Sequence, residues 1–152
     1  MAKSSICTNE VKCSFSALSE NEAFARGLAV NFIAQCSPTV TQLADVKCAV
    51  SEAVTNCIVH AYPSGKFTNP KVEMILRHFD DNSIVIAIKD RGVGIPDIKA
   101  AREPLYTTDT TGERSGMGFA IMESLMDSVR VRSVVNKGTI VTLKLALGNH
   151  KC

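Results

Sequence analysis

Tryptophan is missing from this chain of 152 residues and tyrosine occurs only twice, so there is little aromatic surface for stacking bases. Seventeen basic residues against fifteen acidic ones leave a net charge of +2, without any block of like charge. Nucleic acid is therefore not an expected partner. Apolar runs are short as well: none approaches the roughly 18–20 residues that cross a bilayer, and Met1-Ala2-Lys3-Ser4-Ser5-Ile6 lacks the apolar stretch of a signal peptide. The expectation is a soluble, cytoplasmic protein with no membrane partner. The six cysteines (Cys7, Cys13, Cys36, Cys48, Cys57, Cys152) form no CxxC pair, and His60, His78 and His150 sit at no ligand-like spacing. A zinc site is not expected, and Cys36, Cys48 and Cys57 read as small reduced core fillers. Two further patterns are missing. No Gly-Lys-Ser/Thr run follows a strand, which excludes a P-loop enzyme, and there is no HRD or DFG set of the common protein kinases.

What is present suits one domain over residues 1–152 with a single substantial core. Glu10 to Ser16 reads as a strand, and Ser19-Glu20-Asn21-Glu22 as a capping-box-like start to a helix running toward Gln35, ended by Ser37-Pro38. A second helix is expected from about Thr39–Thr41 to Val59. Its apolar face is Val46, Ala49, Val50, Ala53, Cys57 and Ile58, with Glu52 and Asn56 on the opposite edge. Val72 to Phe79 and Ser83 to Lys89, joined by Asp80-Asp81-Asn82, read as an antiparallel hairpin, with Asp90 just past it. After a long irregular stretch holding a short helix near Asp97 to Arg102, the pattern predicts a helix from Ser115 to Met126. Two strands follow, Ser128 to Val135 and Thr139 to Leu147, linked by Asn136-Lys137-Gly138. The expected fold class is α/β: a two-layer sandwich with a mixed, mostly antiparallel sheet and helices on one face.

Three short stretches carry the chemistry. Glu52-Ala53-Val54-Thr55-Asn56 sets a carboxylate and an amide four residues apart on a helix, with their Cβ atoms roughly 5–6 Å apart on one face. Alone, such a pair decorates a solvated helix edge; here it has company. Asp90-Arg91-Gly92-Val93-Gly94 follows an apolar run. Its bland reading is a turn, whereas its functional reading is a carboxylate that accepts a hydrogen bond from the exocyclic amine of adenine, with glycines admitting close backbone approach. Gly112-Glu113-Arg114-Ser115-Gly116-Met117-Gly118 is a glycine-rich turn into a helix, whose free N–H groups and dipole suit phosphate. In this order the three read as an ATP site.

These residues resemble the ATPase and kinase superfamily of gyrase, Hsp90, histidine kinases and MutL. Glu52 with Asn56 looks like its N box, Asp90 to Gly94 its first glycine box and Gly112 to Gly118 its second, while Gly138-Thr139 fits a late strand turn. Within that group, Phe15-Ser16-Ala17-Leu18-Ser19, Asn21 to Arg26, Ser51 to Asn56 and Glu113 to Phe119 resemble the anti-sigma-F factors of spore-forming bacteria, which are serine protein kinases. The resemblance spans about residues 11 to 145.

It implies a Bergerat-type ATP-binding fold in a homodimer that inhibits a sporulation sigma factor and uses ATP and Mg2+ to phosphorylate a serine on an anti-anti-sigma antagonist. By that resemblance Glu52 is the general base and Asn56 the magnesium ligand. Asp90, Gly92 and Gly94 hold adenine; Thr107, Thr108, Ser115, Gly116, Met117 and Gly118 line lid and phosphates; and the Thr139 hydroxyl backs the adenine contact. Arg114 is placed to pair with the terminal phosphate, against a reading as an exposed loop charge. Glu22 and Arg26 are an i, i+4 surface pair on physics alone, and partner contacts by resemblance; His60 reads as a helix-terminal histidine satisfied by a carbonyl. Gly112 in the lid bears on nucleotide affinity and turnover. Three alternatives stand beside this reading: a histidine-kinase catalytic domain, an ATP-gated sequestering module without turnover, and a general stress anti-sigma kinase.

Overall fold

The computed structural model describes residues 3–103 and 117–148. Five strands, β1 (Cys7–Ser16), β2 (Lys71–Phe79), β3 (Ser83–Asp90), β4 (Ser128–Val134) and β5 (Gly138–Ala146), form one sheet in the order β1-β2-β3-β5-β4. Alternation along the central strands puts Val72, Met74 and Leu76, then Ile84, Ile86 and Ile88, then Val141, Leu143 and Leu145 on one face. The register sets like against like: Met74 faces Ile88, Leu76 faces Ile86, and Ile88 faces Val141.

That apolar face is covered by α1 (Glu20–Ala34), α2 (Val40–Asn56) and α4 (Gly118–Leu125). α1 contributes Ala25, Ala29, Phe32 and Ile33; α2 contributes Val46, Ala49, Val50, Ala53 and Val54; and α4 contributes Phe119 and Met122. The expected two-layer α/β sandwich with helices on one face is therefore what the chain forms, and the described sheet is antiparallel throughout rather than mixed. The reason is connectivity. α1 and α2 bring the chain back to the end of the sheet where β1 stopped, so Ser16 pairs with Lys71 and β2 runs the other way. Of the other neighbours, β2–β3 and β4–β5 are hairpins, turned by Asn82 and Asn136 at positive φ, where asparagine is favoured, and β5 lies antiparallel to β3. The short helix α3 (Ile98–Arg102) is capped by the Asp97 carboxylate, which accepts from the Ala100 N–H. Among the described residues no helix is long and apolar enough to cross a membrane.

Several local expectations are corrected. The Ser19 side chain makes no capping hydrogen bond. Glu22 instead accepts from the Ser51 hydroxyl on α2 and pairs with Arg26 at 3.4 Å, so its carboxylate is unavailable for a capping box. The box is found at α2: the Thr39 hydroxyl accepts from the Gln42 N–H at 3.1 Å, and Gln42 Oε1 accepts from the Thr39 N–H at 3.0 Å. The second helix does not run unbroken to Val59; it gives way after Asn56 to a π-turn, Cys57–Ala61. Cys48 is exposed, off the buried stripe of α2, and is not a core filler; Cys36 and Cys57 are buried as expected. The helix expected from Ser115 is seen from Gly118, residues 115 and 116 lying outside the described residues.

Thr39→Ala is expected to lower unfolding stability by about 1 kcal/mol, whereas Ser19→Ala changes it by no more than a few tenths; paired urea melts check both. Equal losses would overturn the assignment of the capping box.

Candidate functional site

Three segments of chain converge at one end of the apolar layer. The first is the end of α2, where Glu52 and Asn56 are half-buried on the same helix edge. The N-terminus of α4 lies directly over them: a Cβ on Gly118 would stand 3.2 Å from Asn56 Nδ2 and 3.3 Å from Glu52 Oε2. Glycine at this position lets the start of a helix, with its unpaired N–H groups, sit against a carboxylate and an amide. Sequence spacing put Glu52 and Asn56 on one face, and the fold adds Gly118 to them.

The second segment is the end of β3. Asp90 is the last residue of that strand, rather than lying past it, and is buried at 5 % exposure. Its Oδ1 accepts from the N–H of Gly92 at 2.9 Å and of Thr139 at 3.2 Å. Burial pushes the Asp90 pKa upward, against the lowering effect of those donors. Burial likewise drives the Cys57 thiol well above its usual value, with the neighbouring Asp90 charge adding to it.

The π-turn explains how helix and strand meet. It carries the Ala61 carbonyl to the backbone of the Asp90–Gly94 loop, where it accepts from the Val93 N–H at 2.9 Å. At Gly92 a Cβ would lie 2.0 Å from that carbonyl oxygen, so no side chain fits. Gly94 has φ +76° and passes the Val134 carbonyl at a distance a Cβ would reduce to 2.5 Å.

The third segment is the turn into β5. A Cβ on Gly138 would stand 2.1 Å from the Asp90 carbonyl oxygen, and φ there is +124°. Thr139, buried at 7 % exposure, reaches Asp90 through its backbone N–H. Its hydroxyl lies 2.8 Å from Ser133 Oγ. Ser133 Oγ also accepts from the Ile95 N–H at 2.7 Å, pinning the loop after Gly94 to β4. Beside this cluster an open pocket of about 430 Å³ is lined by Asp90, Ile98, Val131, Ser133, Gly138 and Thr139.

Of the predicted site residues, Glu52, Asn56, Asp90, Gly92, Gly94, Met117, Gly118 and Thr139 are placed at this end of the layer. Thr107, Thr108, Arg114, Ser115 and Gly116 lie outside the described residues. Glu22 and Arg26 are on α1, apart from the pocket, linked to α2 through Ser51. Sequence reasoning missed Ser133 and Tyr62. The Tyr62 hydroxyl donates to the Lys71 carbonyl at 2.6 Å and accepts from the Arg91 N–H at 2.7 Å, bracing the chain beside Asp90. Each acts through a contact distant in sequence, which no local pattern signals.

The donor set suits a nucleotide. A buried carboxylate fixed by backbone donors can accept from a base amine, and a helix N-terminus beside an amide and a carboxylate can take phosphate with a hard cation. Comparison with known proteins agrees. Residues 15–145 match the family described as histidine kinase-like ATPase domain. The chain is 48% identical over 143 residues to an anti-sigma F factor of Geobacillus kaustophilus, covering 94% of this chain and 96% of that protein. It is 50% identical over 138 residues to one of Geobacillus stearothermophilus, covering 91% and 92%. The chain belongs to the anti-sigma F factor family, built on a histidine kinase-like ATPase domain. Its fold is also similar to about a third of a solved structure of the RsbU and RsbW domains of a Mycobacterium tuberculosis protein, with TM-score 0.65 at 20% identity, covering 92% of this chain and 33% of that one. As a member of this family the chain is an ATP-binding, kinase-like protein.

Gly92→Ala is expected to cost about 1–3 kcal/mol by forcing backbone apart. Gly118→Ala, whose new atom meets only side-chain ends, leaves the melting temperature within about 2–4 °C while weakening ATP binding. Thermal melts together with titration of ATP separate the two effects.

Proposed function

We propose that this chain inhibits a sporulation sigma factor by binding it, and uses ATP to phosphorylate a serine of an anti-anti-sigma antagonist that would otherwise release sigma. The names of the relatives support the sigma partner, and the observation that supports phosphoryl transfer is Gly118 seated on Glu52 and Asn56. That contact supports the reading because it sets a carboxylate and an amide beside a helix N-terminus, which suits phosphate.

In this reading Asp90 reads adenine, with Gly92 and Gly94 shaping the pocket and Thr139 holding the Asp90 carboxylate through its N–H. Asn56 offers its amide oxygen to Mg2+, an ion that takes one or two protein oxygens and completes its shell with phosphates and water; when bound it neutralises charge on the transferring phosphoryl group. Glu52 takes the proton from the attacking serine hydroxyl as the oxygen bonds to phosphorus and the ADP oxygen leaves. Met117, Ser115, Gly116, Thr107 and Thr108 line the phosphates and lid, and Arg114 meets the terminal phosphate. Glu22 and Arg26 form the docking face on α1 for both protein partners, and the working form is a cytoplasmic homodimer.

Transfer of labelled phosphate from ATP to a purified antagonist tests this. Glu52→Ala is expected to lower transfer by about 100-fold or more while keeping ATP and sigma binding, and Asn56→Ala to weaken Mg-ATP binding itself. The product should be acid-stable. Acid-labile label would point to a phosphohistidine, and binding without any transfer to a sequestering module. Arg26→Ala should weaken capture of sigma and antagonist with ATP affinity unchanged; unaltered capture of both would remove α1 as the docking face.

A further inference from the structure

Three hydrogen bonds meet at one side chain of the site. Ser133 Oγ on β4 accepts from the Ile95 N–H at 2.7 Å, donates to the Gly138 carbonyl at 3.1 Å, and lies 2.8 Å from the Thr139 hydroxyl oxygen. A hydroxyl has one proton and two acceptor positions. The Ile95 N–H fills one acceptor position, and the Gly138 carbonyl can only take the proton. What is left at Ser133 is the second acceptor position, and the Thr139 hydroxyl donates into it. The opposite order, with Ser133 donating to Thr139, leaves the Thr139 proton without an acceptor among the described residues, on a buried side chain. A buried donor left unpaired is costly, which decides between the two orders.

The direction of that proton sets what Thr139 offers a ligand. With the proton turned to Ser133, the Thr139 oxygen has only lone pairs left for the pocket of about 430 Å³ that Asp90, Ser133 and Thr139 all line. Asp90 receives the Gly92 and Thr139 N–H groups both on Oδ1, which leaves Oδ2 as a second acceptor in the same pocket. Two acceptors suit a group with two N–H donors, such as the exocyclic amine of adenine. We infer that Ser133 is a positioning residue for base selection: by accepting the Thr139 proton it makes that hydroxyl an acceptor toward the pocket. The inference rests on the proposed reading of Asp90 as the base-recognising carboxylate. It gives Ser133 a part in telling an aminopurine from a purine without the amine, which a serine that merely pinned the loop at Ile95 would not have.

The test is titration of the full chain with ATP and with purine riboside triphosphate, which carries a hydrogen in place of the 6-amine and is otherwise the same. The parent should prefer ATP; equal affinities overturn the base reading of Asp90, and the inference with it. In a selective parent, Ser133→Ala should lower the preference roughly 3–10-fold, the loss of one hydrogen bond. Loss of the loop pin alone would weaken both nucleotides alike and leave the ratio where it was. Ser133→Thr, which keeps the hydroxyl, should restore the preference. Thr139→Val removes the oxygen and should lower the ratio by itself, and adding Ser133→Ala to it should lower the ratio no further, since the serine acts through that hydroxyl. Ser133→Cys, with a weaker donor and acceptor in the same place, should give an intermediate ratio and carries the comparison if the alanine variant fails to fold. A selective parent whose ratio persists in the alanine and cysteine variants, or a Ser133→Ala effect of equal size with and without the Thr139 hydroxyl, overturns the role of Ser133 and leaves that of Asp90 standing.

Discussion

The site is organised around one buried charge. Asp90 ends the strand β3, inside the layer, and an ionised carboxylate there is tolerable only if donors replace the water it has lost. Two of these are backbone N–H groups, of Gly92 and Thr139, and side-chain packing cannot move such donors without moving the chain. Satisfying Asp90 therefore fixes the loop after β3 against the turn into β5. The buried-polar inventory closes: among the described residues no buried side-chain nitrogen or oxygen is without a hydrogen-bond partner.

This requirement accounts for the glycines. Gly92 passes the Ala61 carbonyl and Gly138 passes the Asp90 carbonyl, each at a separation that any side chain would violate. The chain has been brought closer than packed side chains allow so that N–H groups converge on a single carboxylate. The π-turn belongs to the same logic. An α-helical continuation from Asn56 would direct its carbonyls along the helix axis, whereas the widened turn lets Ala61 reach the Val93 N–H.

Much of this was legible in advance. Period-two alternation in Val72–Phe79 and Ser83–Lys89 located the central hairpin, and the i, i+4 spacing of Glu52 and Asn56 put them on one helix edge, because both are short-range consequences of backbone geometry. Motif order brought Asp90 and Gly118 into the same site. Resemblance, not periodicity, joined those pieces. What could not be read was which partner each polar group would choose. Ser19 and Glu22 fit a capping box by spacing, but Glu22 finds Ser51 and Arg26 in the folded protein; Thr39 and Gln42, with the same signature in weaker form, make the box. The Thr139 hydroxyl meets Ser133, 6 positions away in sequence but directly opposite across the β4–β5 hairpin. Such choices are settled by register and packing, which no local pattern encodes.

The distribution of strength through the molecule follows from the same arrangement. The central strands and α2 supply the fully buried residues, among them Ile86, Ile88, Leu143, Val50 and Val54, and these contribute most of the stability through burial of apolar area. The polar groups of the site add little net energy of their own, since each hydrogen bond formed replaces one to water. Their service is to fix geometry. Glu52 and Asn56 ride on a helix whose other face is locked into the core by Val46, Ala49, Val50 and Ala53, and Asp90 ends a strand whose alternate residues are buried along its length. The elements that the core holds most firmly are thus the ones that carry Glu52, Asn56 and Asp90. Preorganisation here is a property of the apolar layer, expressed at its polar end.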